Sequence, residues 1–129
     1  MKINFKNKYI IVTGATRGIG QEIAKDLIKL DANLILTGTK KNEIDFLNKK
    51  KSKKNIEYFQ LNPLDNGSVK NFFKNISKYK KIDGIVNNAG INRLNSINMV
   101  KMSDYDDMLN VNLRLPFELI NEISKKMIS

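Results

Sequence analysis

The sequence predicts an α/β fold, a doubly wound parallel sheet with helices on both faces, from three observations. Short β-branched runs alternate with amphipathic stretches, the pattern of successive βαβ units. A glycine-punctuated turn joins the first run to the first amphipathic stretch. The composition of the 129 residues, 41% hydrophobic and 28% charged with two prolines and seven glycines, suits one globular core and excludes disordered or low-complexity classes.

Each element follows from its residues. The first strand reads as Tyr9-Ile10-Ile11-Val12-Thr13, a continuous apolar run suited to burial on both faces. A helix from Gly18 to Leu30 sets Ile19, Ile23, Leu27 and Leu30 on one face, and Asp31-Ala32-Asn33 breaks it into a second strand, Asn33 to Thr37. Lys41 to Lys50 is a short, weakly amphipathic helix carrying Ile44 and Leu47 with Phe46 beside them. The third strand is Ile56 to Gln60. Asp65-Asn66-Gly67-Ser68 then offers N-cap oxygens to a helix that turns Val69, Phe72, Phe73 and Ile76 to the sheet. A fourth strand is read at Ile82 to Val86. The last element is one long helix from Ser103, taken as its N-cap, to Ile128, with acids in the first turn and lysines in the last, as the helix dipole favours.

Cysteine and histidine are both absent. This removes disulfides, cysteine nucleophiles, serine-histidine triads and the usual zinc, copper and haem ligand sets, so no metal site is expected. The net charge of +10 invites a nucleic-acid reading, but lysine supplies 20 of the 23 basic residues, as adenine- and thymine-rich codons would write it. The densest run, Lys49 to Lys54, has no interleaved aromatics to stack on bases and reads as a solvated loop. No apolar stretch approaches a bilayer span, and the basic start Met1 to Lys8 leads into an apolar run that stops at Thr13-Gly14, too short for a signal peptide. The expectation is a cytoplasmic protein with no nucleic-acid and no membrane partner.

The chemistry concentrates in Thr13-Gly14-Ala15-Thr16-Arg17-Gly18-Ile19-Gly20. Gly14 permits the tight exit from the strand, Gly18 lets backbone approach a ligand closely, and Gly20 lets the helix pack against the sheet. The helix N-terminus then offers free N–H groups and a positive dipole end to a pyrophosphate. The loop resembles the TGxxxGxG cofactor motif of the short-chain dehydrogenase/reductase family. Asn87-Asn88-Ala89-Gly90 matches that family's NNAG motif, and Asn110-Val111-Asn112-Leu113 places Asn112 at its catalytic asparagine. Within the family the likeness is nearest to β-ketoacyl-acyl-carrier-protein reductases, through the TGxxRGIG-type loop, Gly38-Thr39 and the NAGIxR stretch Asn88 to Arg93.

The resemblance implies a Rossmann-type sheet of order 3-2-1-4, here only the N-terminal portion of the family's domain over residues 1–129, lacking strands five onward. It implies a nicotinamide cofactor. An NAD site usually carries an acid at the end of the second strand, but Thr37-Gly38-Thr39-Lys40-Lys41 has none before Glu43. The hydroxyls of Thr37 and Thr39 and the cations Lys40 and Arg17 suit the 2′-phosphate of NADP instead. Asn62 matches the family's usual aspartate that hydrogen-bonds adenine, while Asp65 reads as a helix cap. The resemblance implies that Asn87 and Asn88 brace the central strand and pass the chain beside the cofactor ribose, that Asn88, Ala89 and Gly90 bind the cofactor, and that Asn112 distorts the long helix so that a backbone carbonyl can hold a water of the proton relay.

The family's SerxnTyrxxxLys set is not found. Four residues beyond Tyr9, Tyr58, Tyr79 and Tyr105 stand Thr13, Asn62, Asp83 and Leu109. The reading is an NADP-dependent reductase of a small-molecule carbonyl substrate, inactive as these 129 residues alone. The alternative is a stand-alone NADP-binding or regulatory module without turnover. The fourth strand should form an open edge. The helix face of Met108, Val111, Leu115, Leu119, Ile123 and Met127 should lie uncovered, as the family's dimer-forming helix, for a second copy or a C-terminal half.

Overall fold

A computed structural model describes residues 2–128; Met1, which opens the basic N-terminal stretch, and Ser129 lie outside them. The elements run β1 (Tyr9–Val12), α1 (Gly18–Lys29), β2 (Asn33–Gly38), α2 (Lys41–Lys50), β3 (Ile56–Gln60), α3 (Asn66–Ile76), β4 (Gly84–Val86), a 3-10 turn (Ile97–Met99), α4 (Met102–Leu109), a π-helical turn (Asn110–Arg114) and α5 (Leu115–Met127). The four strands form one parallel sheet in the order β3-β2-β1-β4, as expected. Its central register sets Ile11 against Ile35 on one side and Ile85 on the other, so the strands' C-terminal ends share one edge.

Alternation along β1 and β2 divides the core. Ile10, Val12, Leu34 and Leu36 point to the face covered by Ala24 of α1, with Ile23, Leu27 and Ile28 packed around them. Ile11 and Ile35 point to the other face, against Phe72 and Ile76 of α3 and Leu115, Leu119 and Ile123 of α5. Both faces of the central strands are therefore dry.

Four expectations need correction. β4 begins at Gly84, not Ile82: ahead of it Asp83 N–H still donates to Tyr9 O of β1 (2.8 Å), but Tyr9 N–H is taken by the Asp83 carboxylate (2.9 Å) in place of a backbone carbonyl. Ile19 faces solvent, 74% exposed, since α1 turns Gly20 and Ala24, its buried residues, to the sheet, flanked by Ile23, Leu27 and Ile28. The long helix starts at Met102 after Lys101 with no side-chain cap, which leaves Ser103 inside the first turn, and it is interrupted by the π-turn. Finally, the supposedly uncovered face is the buried one. Val111, Leu115, Leu119 and Ile123 are at most 3% exposed because the sheet's apolar surface must be covered on this side. Leu113, Phe117 and Ile120 are the residues that point outward, at 66%, 69% and 53% exposure. The edge of β4 away from β1 has no partner strand among the described residues, as expected.

Candidate active-site cleft

The loop after β1 makes two left-handed turns, at Gly14 (φ 62°) and Gly18 (φ 58°). Each falls where a side chain would be strained. Arg17 is the N-cap of α1 and supplies no side-chain cap, and Gln21 N–H is the first to reach back into the loop, at 3.3 Å from Arg17 O. The first-turn N–H groups of Gly18, Ile19 and Gly20 are thus left for an anion. Gly20 packs directly behind the loop: a Cβ there would stand 2.2 Å from Gly14 O and 2.5 Å from Asn88 Nδ2.

Two side chains tie this loop to the end of β4. Thr13 Oγ1 accepts the N–H groups of Asn88 (3.1 Å) and Ala89 (3.0 Å) and donates to Val86 O (3.4 Å). Asn88 Nδ2 returns hydrogen bonds to Thr13 O and Gly14 O, both at 3.1 Å. These bonds satisfy backbone groups where the ladder between β1 and β4 ends. Asn87, by contrast, is exposed.

The end of β2 departs from expectation. Thr37 contributes to the cleft, but it is only 1% exposed and its hydroxyl accepts Gly14 N–H at 3.2 Å. It braces the glycine loop and is not the free phosphate ligand expected. Gly38 makes room for Thr16, whose Cγ2 would lie 2.5 Å from an added Cβ. Thr39 lines the cleft, with its carbonyl accepting from Gln60 Nε2 (3.1 Å), and Lys40 follows as the exposed N-cap of α2, outside the lining. Asn62 lines the cleft too, with its Oδ1 accepting Leu64 N–H (3.1 Å); a second lone pair remains on that oxygen. Asp65 caps α3 by accepting from Gly67 N–H and Ser68 N–H, as its sequence context indicates.

Asn112 sits in the π-turn and grips the backbone of Ile91 twice: Ile91 N–H donates to its Oδ1 and its Nδ2 donates to Ile91 O, both at 2.8 Å. The helix is distorted where this residue lies, in the π-turn over Asn110–Arg114. Two residues beyond Ile91, Arg93 Nη1 pairs with both Asp104 (3.4 Å) and Asp107 of α4. The hydrogen bond that Arg93 donates to Asp107, reinforced by the charges of both aspartates, raises the guanidinium pKa above its ordinary value.

Together these loops enclose an open cleft of about 280 Å³ at the C-terminal edge of the sheet, reached by Gly14, Thr16, Arg17, Thr37, Thr39, Asn62, Asn88, Ala89 and Gly90. Gly18, Ile19, Gly20, Lys40 and Asn112 lie outside its lining. Arg17 is the one charged residue among the lining side chains, and no carboxylate faces it there. A topological reversal between β1 and β4, with a helix N-terminus at its mouth, is the position where open α/β sheets bind ligands.

The short chain dehydrogenase family profile matches residues 8–129. The chain belongs to the short-chain dehydrogenase family. Relatives include the 3-oxoacyl-[acyl-carrier-protein] reductases FabG of Salmonella typhimurium (34% identical over 97% of this chain), Escherichia coli K12 (33% over 97%) and Rickettsia conorii (35% over 98%). The chain spans about half of each relative's length, 51% in all three. Among solved structures, a blue fluorescent protein from a metagenomic library in complex with NADPH is similar at TM-score 0.80 and 27% identity, covering 96% of this chain and 53% of that one. A Serratia marcescens short-chain dehydrogenase/reductase mutant shares the fold at TM-score 0.81 and 24% identity, over 95% and 52%.

Within this member of the family, three features escape a residue-by-residue reading. Thr13 is a hub for three backbone groups, signalled in the sequence only by its place before Gly14. Ile91 joins the cleft through its backbone, which carries no side-chain signature. The Arg93 pairs were concealed because Asp104 and Asp107 already had a local explanation as first-turn acids.

Proposed function

We propose that this chain forms the adenosine and pyrophosphate side of an NADP-binding Rossmann domain, the N-terminal portion of a cytoplasmic short-chain reductase acting on a carbonyl/alcohol pair. One observation carries the reading: the cleft joins an uncapped α1 N-terminus to Arg17, which has no ion-pair partner among the described residues, and its lining holds no carboxylate. This donor set fits a dinucleotide carrying an extra phosphate. The N–H groups of Gly18, Ile19 and Gly20, with Thr16, would hold the pyrophosphate; Arg17, Thr39 and Lys40 would meet the 2′-phosphate. Asn62 would face adenine, and Asn88, Ala89 and Gly90 the ribose.

When bound, the nicotinamide supplies the hydride that reduces a carbonyl carbon. Asn112 takes the family's catalytic asparagine role by sustaining the π-turn, which frees a backbone carbonyl to hold a water for proton delivery. The FabG relatives support a 3-oxoacyl-[acyl-carrier-protein] substrate, and the NADPH complex of the blue fluorescent protein supports the cofactor. No tyrosine in the sequence has a lysine four residues on, so these 129 residues alone bind cofactor without turnover. The unpaired edge of β4, with Leu113, Phe117 and Ile120, is the surface offered to a C-terminal half or a second copy. No helix among the described residues is long and apolar enough to cross a membrane.

A second reading, a stand-alone NADP-binding or regulatory module, is favoured by the absence from the sequence of any tyrosine with a lysine four residues on, since binding without turnover needs no proton donor. Fluorescence titration with NADPH and NADH tests the common ground. NADPH should bind at least roughly tenfold more tightly, and Arg17→Gln should remove most of that advantage, as expected for a charge-assisted contact of about 1.5–3 kcal/mol. Equal affinity for the two, or binding of neither, overturns the cofactor assignment. If joining the chain to a relative's C-terminal half produces no NADPH-dependent reduction of a 3-oxoacyl thioester while cofactor binding persists, the module reading stands over the reductase reading.

A further inference from the structure

The segment between β4 and α4, residues 87–101, contains only one short 3-10 turn, and the apolar side chains of its middle find no core: Leu94 is 87% exposed, Ile97 92% and Met99 63%, while Ile91 and Val100 are half-buried. Hydrophobic packing therefore does little to hold it. Yet its first residues, Gly90 and Ile91, form one wall of the cleft. Two attachments hold this wall to the last helical column. One is the Asn112 clasp on the Ile91 backbone. The other is Arg93, whose Nη1 pairs with Asp104 and Asp107, carboxylates one turn apart on α4.

The two attachments sit two residues apart in the chain, on either side of the point where α4 gives way to the π-turn. Upstream the segment is tied to the glycine loop through Asn88 and Ala89, but beyond them a single side-chain clasp opens readily, because the ordering entropy of the chain that follows opposes it. A second anchor nearby shortens the free segment and lowers that entropy, so the first closes more of the time. We infer that Arg93 is a positioning residue of the cofactor cleft: its pairs with Asp104 and Asp107 keep Ile91 in register with Asn112 and so hold the Gly90–Ile91 wall in place. The functional part of this inference rests on the NADP-binding reading above; the structural part does not.

The test uses the full chain with Arg93→Gln, Arg93→Lys, Asp104→Asn and Asp107→Asn, and two readouts. The first is amide hydrogen exchange at Ile91, whose N–H is protected by Asn112 Oδ1. Arg93→Gln should speed it about tenfold while amides of β1 and β2 keep their protection, and Arg93→Lys should recover part of the loss. The second is NADPH affinity, which Arg93→Gln should weaken roughly fivefold with little change in the melting temperature of the apo protein. Asp107→Asn should reproduce both effects, which guards against a folding defect particular to the arginine variant. Ile91 exchange unchanged in both Arg93→Gln and Asp107→Asn overturns the inference. Faster Ile91 exchange with unchanged NADPH affinity overturns its functional part. Failure of the unaltered chain to bind NADPH overturns the cofactor reading instead, and Ile91 exchange still decides the positioning role.

Discussion

Replacing Gly20 with alanine asks whether the glycine loop and α1 are as closely packed as the geometry requires. The added Cβ would meet Gly14 O at 2.2 Å, Asn88 Nδ2 at 2.5 Å and the Gly14 carbonyl carbon at 2.9 Å. None of these can yield cheaply. Gly14 is held in a left-handed turn, with its N–H bonded to Thr37, and Asn88 Nδ2 is fixed by bonds to Thr13 O and Gly14 O. Overpacking of this kind costs about 1–3 kcal/mol. Prising Asn88 from its two acceptors adds about 1 kcal/mol each. Alanine's better helix propensity returns about 1 kcal/mol, which leaves a net loss of about 2–4 kcal/mol from a total stability on the order of 5–15 kcal/mol. Thermal unfolding followed by circular dichroism should show Tm lowered on the order of 10 °C. Propensity acting alone would raise Tm; a Gly20→Ala protein as stable as the parent, or more so, would refute the packing argument.

Three further perturbations separate roles within the fold. Thr13→Val keeps the shape of a side chain only 1% exposed but leaves Ala89 N–H without its acceptor and Asn88 N–H with Val86 O (3.0 Å) alone, so urea unfolding should report a loss of about 1–3 kcal/mol, which Thr13→Ser should largely avoid. Leu119→Ala should cost about 2–5 kcal/mol because Leu119 is fully buried against the sheet, whereas Phe117→Ser, on the outward face, should change monomer stability by less than about 0.5 kcal/mol; similar losses from both would contradict the assignment of the two faces. Burial first, then the Glu57 charge and hydrogen bond and the nearby Tyr9, raise the Tyr79 phenol well above its usual pKa. The folded protein then keeps a proton that the unfolded chain gives up near pH 10, so this contribution is intact below about pH 10 and is lost as pH climbs toward the raised folded value. Tyr79→Phe should flatten the alkaline limb of a stability-against-pH curve; the same slope in both proteins would exclude Tyr79 as its source.

The fold was legible wherever local pattern and tertiary demand coincide. The apolar run at Ile10 to Val12, the boundaries of α2 and β3, and the Asp65 cap all follow from nearest-neighbour chemistry, and the structure shows them as read. The glycines of the first loop were legible for the same reason, since a left-handed turn selects glycine whatever surrounds it. Misreadings arose where two explanations share one residue type. A helix with apolar residues all around offers several faces, and periodicity alone does not say whether Leu119 or Phe117 meets the sheet. Thr37 carries a hydroxyl fit for a phosphate, and nothing local reveals that Gly14 N–H takes it first.

What the amino-acid sequence determined by itself is the order and type of the elements, the glycine loop, and the absence of histidine, cysteine and a tyrosine-lysine pair, because these depend on residue identity and short-range spacing. What only the tertiary structure decided is which atoms remain free for a ligand. The Thr13 hub, the inward Thr37 hydroxyl, the Asn112 clasp on Ile91 and the Arg93 pairs each join residues between 11 and 76 positions apart. A polar group's availability depends on the partner it has already met, and for these groups that partner is brought near only when the parallel sheet and its helices close.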